Sequence, residues 1–183
     1  MNTTINNAAR EAAPAQPCPK MTDARAAALE ALDEAERLHA TLRAGECIAD
    51  LVANASGFFS LSGFADLLDV YAQAVDLRVS ALAAQLGAID AATTRQPLVD
   101  SARTMVADAN DLLYSLRRDQ GALNAFAGLA AYAADACGEQ LGDALGVMTQ
   151  SATRNLDALA VLLGSLHAAA RAQAERAAAG VAA

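Results

Sequence analysis

The stretch FADLLDVYAQAVDLRVSALAAQLGAI, residues 64–89, decides the fold class of this chain. Its large apolar residues recur at steps of three and four, with a mean spacing close to 3.6. They are Phe64, Leu68, Tyr71, Val75, Val79, Leu82, Leu86 and Ile89. This spacing predicts a long amphipathic α-helix that must bury one face. Ser60 or Ser62 can cap its first turn.

Another amphipathic helix is predicted before this one. Thr22 or Asp23 can cap its start. Its apolar stripe runs through Ala28, Leu32, Ala35, His39 and Leu42, and resumes beyond Gly45 with Ile48, Val52 and Ala55. We therefore expect one helix to about Ala55, with a weak point at the glycine.

The third helix is predicted to start at Pro97, because proline fits the first helical position. Its apolar side carries Leu98, Ala102, Val106, Ala109, Leu113 and Leu116. Two places for its end stay open. The segment 117–121 has cations followed by Gly121, which is typical of a helix end. Yet the apolar stripe continues in phase through Leu123, Ala127, Ala130, Ala134 and Cys137, which favours a turn at 137–139.

The last helix carries an apolar stripe that fades into an alanine-rich end. The stripe consists of Leu141, Leu145, Met148, Ala152, Leu156, Leu159, Leu163 and Leu166. With the turn at 137–139, four helices of about 34, 32, 40 and 40 residues result, and such matched lengths favour an antiparallel up-down-up-down four-helix bundle. We predict an all-α domain over 22–178, a disordered tail over 1–21 and a frayed end over 179–183.

Composition narrows the classes of function. The chain has 183 residues and a formal net charge of -8, and Lys20 is its only lysine. This balance argues against a nucleic-acid partner, because phosphate backbones bind clustered Lys and Arg. Three widely spaced cysteines argue against a disulfide framework. With no signal-like or membrane-spanning run, we expect a soluble cytoplasmic protein. Export through a specialised secretion system stays open, because Asn/Thr/Pro-rich leaders also occur on such proteins.

One pair of residues resembles part of a metal site. Glu36 and His39 have the Glu-x-x-His spacing of carboxylate-bridged di-iron bundles. Such a site needs a second copy of the motif, and Gly164 stands three residues before His167, the only other histidine. We therefore expect no metal and no cofactor, with Glu36 facing water and His39 packing at the edge of the stripe. No pairing of a nucleophile with a base is recognisable either, so no enzymatic activity is expected.

Two features are candidates for interaction. Gly138, Gly142 and Gly146 lie on one face of the last helix, a spacing that favours close helix–helix approach within the bundle or between subunits. A local hinge or break is the rival interpretation. Phe58, Phe59 and Leu61 form an apolar connection between the first two helices. They either cap the end of the core or form an exposed patch for a partner or a lipid-like surface.

Long amphipathic helices without a cluster of catalytic residues predict a non-enzymatic interaction protein that oligomerises or binds another protein. An alternative follows from length, alanine content and the lack of motifs. In these respects the chain is similar to phasins, the helical proteins that coat bacterial polyester granules, although no signature residue carries the similarity. The resemblance implies a coat protein that binds an apolar surface or a small apolar ligand.

Overall fold

Four long helices make up a computed structural model that describes residues 24–54, 60–95, 100–130, 132 and 138–181. They are α1 (Ala24–Ala53), α2 (Leu61–Arg95), α3 (Asp100–Ala130) and α4 (Gly138–Val181). No strand occurs in these described ranges. The predicted all-α four-helix architecture is confirmed. Outside the described residues lie the predicted tail over 1–21, the predicted caps Thr22 and Asp23, and Pro97.

The helices form a ring in which each packs against its two neighbours in the order α1, α2, α3, α4 and back to α1. Among the described residues, no Cα atoms of diagonally placed helices come within 8 Å of each other. Contacting residues run in opposite directions in adjacent helices. Between α1 and α4, Val52 lies against Gly138 and the Arg25 carbonyl lies 3.3 Å from Nδ1 of His167. This is the antiparallel up-down-up-down topology predicted from the sequence.

The chain does not turn at 117–121. α3 continues through Gly121 to Ala130, and α4 begins at Gly138. Leu123, Ala127 and Ala130 are buried, so they extend the apolar stripe of α3. A glycine inside a helix costs about 1 kcal/mol relative to alanine. Burying two further turns of α3 offsets that cost, and the helix-end signal at Gly121 is overridden.

The core is built as the sequence predicts in α2, where all eight residues of the stripe are buried. In α1, Ala28, Ala35, Leu42 and Val52 of the predicted stripe are buried, whereas Leu32, His39 and Ile48 are only partly buried. The buried face is wider than the stripe, because Ala31, Leu38 and Ala49 are buried as well. The extra width follows from the packing of α1 against both α2 and α4.

The start of α2 is capped as predicted. The Ser60 hydroxyl accepts a hydrogen bond from the backbone N–H of Gly63 at 3.3 Å. This contact satisfies one of the free donors of the first turn. Ser62 instead forms a side-chain hydrogen bond with Ser60 at 3.1 Å. Of the two predicted caps, the structure uses Ser60.

The end of α4 extends past the core. Ala170 is the last buried residue, and none of residues 171–179 is buried. The helix nevertheless runs to Val181 and so includes part of the segment expected to fray. Arg171 and Glu175, one turn apart, form an ion pair at 2.8 Å on this exposed end. No described helix combines the length and apolar character that a membrane crossing requires.

Candidate interaction surface

Gly138, Gly142 and Gly146 of α4 face α1 inside the bundle. A Cβ atom on Gly138 would lie 2.7 Å from the carbonyl oxygen of Val52, and one on Gly142 would lie 2.6 Å from that of Ala49. Gly146 leaves room, since its Cβ would be 3.8 Å from the Cβ of Ala49. The small residues therefore let two backbones approach, and the face they form is covered by α1.

The apolar connection singled out in the sequence is described only at its end. Phe58 and Phe59 lie outside the described residues. Leu61 is the first residue of α2 and is partly buried.

The Glu-x-x-His pair does not form a metal site in the part of the chain that the structure describes. Glu36 is exposed, and His39 is partly buried with its Nε2 atom 3.6 Å from Oδ1 of Asp157 in α4. No group of three or more His, Cys, Asp or Glu side chains with metal-binding geometry occurs among the described residues. His167 lies away from this pair, near the carbonyl of Arg25.

Glu34 of α1, two residues before Glu36, is a buried carboxylate that the sequence analysis did not identify. Glu34 is only 5% exposed and accepts hydrogen bonds from Arg37 at 3.0 Å and from Arg78 of α2 at 3.1 Å. The pattern alone gives no reason to place a glutamate in the core. Arginine on both α1 and α2 makes burial of this charge tolerable, because each carboxylate oxygen has a cationic partner.

Other polar side chains connect the remaining helix pairs at about the same level of the bundle. Gln120 of α3 donates a hydrogen bond to Asp76 of α2. Asn155 of α4 donates one to Asp119 of α3 at 2.7 Å. Together with His39 and Asp157, these contacts form a polar girdle around the middle of the bundle. These contacts fix the register of the helices. The polar groups in them are already hydrogen-bonded or paired with one another.

An open groove lies where α2 ends and α3 begins. It has a volume of about 410 Å³ and is lined by Asp90, Thr93, Thr94, Arg103, Val106, Ala107 and Asn110. The hydroxyls of Thr93 and Thr94 both donate to the Asp90 carbonyl at 2.9 Å. The Asn110 amide donates to the Val106 carbonyl at 3.0 Å. Most of the polar lining is therefore engaged within its own helix.

The outer side of α2 exposes three large apolar residues in the described chain, whereas α1, α3 and α4 expose two each. Leu67, Val70 and Leu77 are 46%, 65% and 65% exposed. They belong to a second stripe, here called the outer seam, that repeats every seven residues. The outer seam consists of Leu67, Val70, Ala74, Leu77, Ala81, Ala84, Ala88 and Ala91. Ala74, Ala81 and Ala88 are partly buried at its edge, and the other five residues are exposed.

The spacing of the outer seam is present in the sequence, but it lies outside the one buried stripe predicted for α2. Its eight residues alternate steps of three and four without a break, which is the a/d pattern of a coiled coil. Because an ideal helix has 3.6 residues per turn, a strict seven-residue repeat needs a partner helix to keep it on one contact face. The last four residues of the seam, Ala81, Ala84, Ala88 and Ala91, are all alanine. Because the whole chain is rich in alanine, their seven-residue spacing does not stand out in the sequence.

Charge is sparse along this face. No charged residue occurs between Arg78 and Asp90, a run of eleven residues on the exposed helix. Arg78 itself pairs with Glu34, and Asp76 on the α3 side accepts the hydrogen bond of Gln120. Asp66 and Asp69 are exposed beside the N-terminal end of the seam. Depletion of charged residues over the rest of the face is typical of the core of a protein interface.

Comparison with known proteins gives no further identification. No protein-family model, no curated protein and no solved structure matches the chain. The fold and the surface define a class only, an antiparallel four-helix bundle with a coiled-coil-like seam on its outer side.

Proposed function

We propose that this chain is a non-enzymatic interaction protein that binds a helix of another protein molecule through the outer seam of α2. The single observation that supports this most is the exposure of a seven-residue repeat on a helix whose other stripe already fills the core. A bundle needs one apolar stripe per helix, so the second stripe has no use within the fold. Its use is then between molecules.

The energetics agree with a moderate interaction. Fully burying a Val or Leu side chain contributes about 1.5–3 kcal/mol. Leu67, Val70 and Leu77 are about half to two-thirds exposed, so each has on the order of 1 kcal/mol still to gain. The alanines add close approach of the two backbones. Association costs translational, rotational and side-chain freedom, which these three residues alone do not offset by much. The affinity therefore depends on contacts along the full length of the seam.

A photo-crosslinking amino acid at Ala84 tests the proposal in cells that produce the protein. Ala84 lies on the outer seam and is exposed, so the probe faces the partner without disturbing the core. The matched control carries the probe at Ala158, an exposed alanine on α4 outside the seam. We expect a covalent adduct with a protein chain, the same or another, from Ala84 and not from Ala158. Adducts at both positions, or at neither, would contradict the proposal.

The alternative of a coat on an apolar surface uses the same exposed residues and is separated by a variant. Leu77→Glu places a charge in the seam, while Val161→Glu changes an equally exposed residue of α4. If hydrophobic particles adsorb the wild type and Val161→Glu but not Leu77→Glu, and no protein adduct forms at Ala84, the coat function is the correct one.

A further inference from the structure

The residues of the outer seam differ in size from one end to the other. The three large ones, Leu67, Val70 and Leu77, lie in its N-terminal half. Beyond Leu77 all four residues of the seam are alanine. This gradient decides which helix can pack against the seam along its whole length, because well-packed interfaces fill space to the density of a protein interior.

A helix that is large where α2 is small, and small where α2 is large, is supplied by α2 of a second copy running antiparallel. With the pairing centred between Leu77 and Ala81, Leu67 meets the partner's Ala91, and Val70 meets the partner's Ala88. Leu77 likewise meets the partner's Ala81. Every layer then combines one large and one small residue, or two alanines at Ala74 and the partner's Ala84. A parallel pairing instead sets leucine against leucine at one end and alanine against alanine at the other.

Charge points to the same occupant. Two copies of a chain with net charge -8 repel each other in general. The C-terminal half of the seam lies in the uncharged run between Arg78 and Asp90, whereas Asp66, Asp69 and Asp76 lie beside its N-terminal half. Antiparallel pairing sets the acidic half of one copy against the uncharged half of the other, whereas a parallel pairing would set the aspartates of the two copies against each other.

The available area is sufficient. From Leu67 to Ala91 the helix rises about 36 Å at 1.5 Å per residue. A strip of that length and about 20 Å wide, which includes the margins of the neighbouring helices, covers roughly 700 Å². Stable interfaces bury about 600–1,000 Å² on each partner, and the strip falls within that range.

We infer that the chain forms a two-fold symmetric homodimer in which the outer seams of two α2 helices pack antiparallel, large residue against alanine. This inference rests on the proposed function and names the partner as a second copy. A two-fold contact uses the same patch on both molecules, which matches a seam that is complementary to itself only when reversed.

Single cysteines test both the partner and the direction. In a background with Cys18, Cys47 and Cys137 replaced by serine, Ala74→Cys and Ala84→Cys are prepared separately and checked for helicity by circular dichroism. Antiparallel pairing brings residue 74 of one copy opposite residue 84 of the other, within the separation that a disulfide spans. The same residue in the two copies is about 15 Å out of register along the axis, at ten residues of rise. We expect a disulfide dimer under mild oxidation from the mixture of the two variants and little from either alone.

Efficient crosslinking of either variant with itself would show a parallel pairing and overturn the inference. Light scattering adds a test without cysteines: the wild type and Val161→Glu should have twice the monomer mass at high concentration, and Leu77→Glu the monomer mass. A wild-type monomer whose Ala84 probe crosslinks to a different protein would refute the homodimer while leaving the proposed function in place. A monomer without any adduct would refute both.

Discussion

A Cβ atom placed on Gly142 of α4 would lie 2.6 Å from the carbonyl oxygen of Ala49 in α1. It would also lie 2.7 Å from the Cβ of Ala53. The obstacles include backbone atoms, which cannot turn aside as a flexible side chain does. The close packing of α1 against α4 therefore depends on the absence of a side chain at this position.

Gly142→Ala should consequently destabilise the bundle, although alanine is the better helix former. Forcing one methyl group into a packed interface costs about 1–3 kcal/mol. Gly146→Ala is the matched control, because its Cβ would have an ordinary contact of 3.8 Å. Urea unfolding followed by circular dichroism measures both variants. Equal midpoints for Gly142→Ala and the wild type would show that the two helices separate without cost.

Gly121→Ala should have the opposite effect. Gly121 lies inside α3, nine residues before its end, and is exposed, and a Cβ atom added to it would meet nothing beyond its own helix backbone within 4 Å. Alanine then gains helix propensity with no steric cost, and the free energy of unfolding should rise by about 0.5–1 kcal/mol. A drop in the thermal midpoint would contradict a continuous α3 at this residue and favour the turn at 117–121.

The Glu34 cluster should respond differently to the removal of its anion and of its cations. Glu34→Met leaves Arg37 and Arg78, whose side chains are 60% and 36% exposed and can be hydrated. This substitution should lower the free energy of unfolding by only about 1 kcal/mol. The double variant Arg37→Met/Arg78→Met leaves a buried carboxylate without a partner and should cost about 3–5 kcal/mol. Chemical unfolding at neutral pH compares the two; a larger loss for Glu34→Met would refute this account.

Tyr71 should make the protein less stable in alkali. Its ring lies against Gly45, and its hydroxyl has no hydrogen-bond partner among the described residues. Burial raises the pKa of the Tyr71 phenol, and the nearby Glu46 carboxylate raises it further. An ordinary phenol ionises near about pH 10. Above that pH the unfolded chain releases a proton that the folded chain keeps.

The contribution of Tyr71 to the free energy of unfolding is therefore constant below about pH 10 and declines above it, by up to about 1.4 kcal/mol per pH unit. Tyr71→Phe removes this part of the pH dependence and also the unpartnered hydroxyl, so it should be as stable as the wild type or more so near neutral pH. Urea midpoints of both proteins at about pH 8 and about pH 11 provide the measurement. Identical losses in the two proteins would show that Tyr71 does not contribute.

Periodicity was sufficient wherever large apolar residues mark one line. In α2 the buried line from Phe64 to Ile89 follows directly from the sequence, because Leu, Val and Phe have no favourable alternative to burial. In α1 alanine occurs on several sides, and the pattern did not separate Ala31 and Leu38 from Leu32 and His39. Alanine gains little from burial, so the neighbouring helices select the line.

The interaction surface shows the same division. The spacing of Gly138 and Gly142 predicted a close helix contact, but it did not say whether the contact lies within the bundle or between molecules. The seven-residue repeat of the outer seam can be found in the sequence. Its exposure cannot be predicted from the sequence, because the same residues would also suit a buried face. In the structure the glycines are covered by α1 within the bundle. The outer seam stays uncovered because, among the described helices, α2 packs only against α1 and α3.

By itself, then, the order of residues determined that the chain is helical, that it has four helices and where the core of α2 lies, because these follow from local propensity and the period of large apolar side chains. Only the tertiary structure decided that α3 runs through Gly121, that Glu34 is buried between two arginines and that one apolar stripe of α2 faces outward. Those outcomes depend on which helix faces are covered by neighbours, and residues far apart in the chain contribute to them.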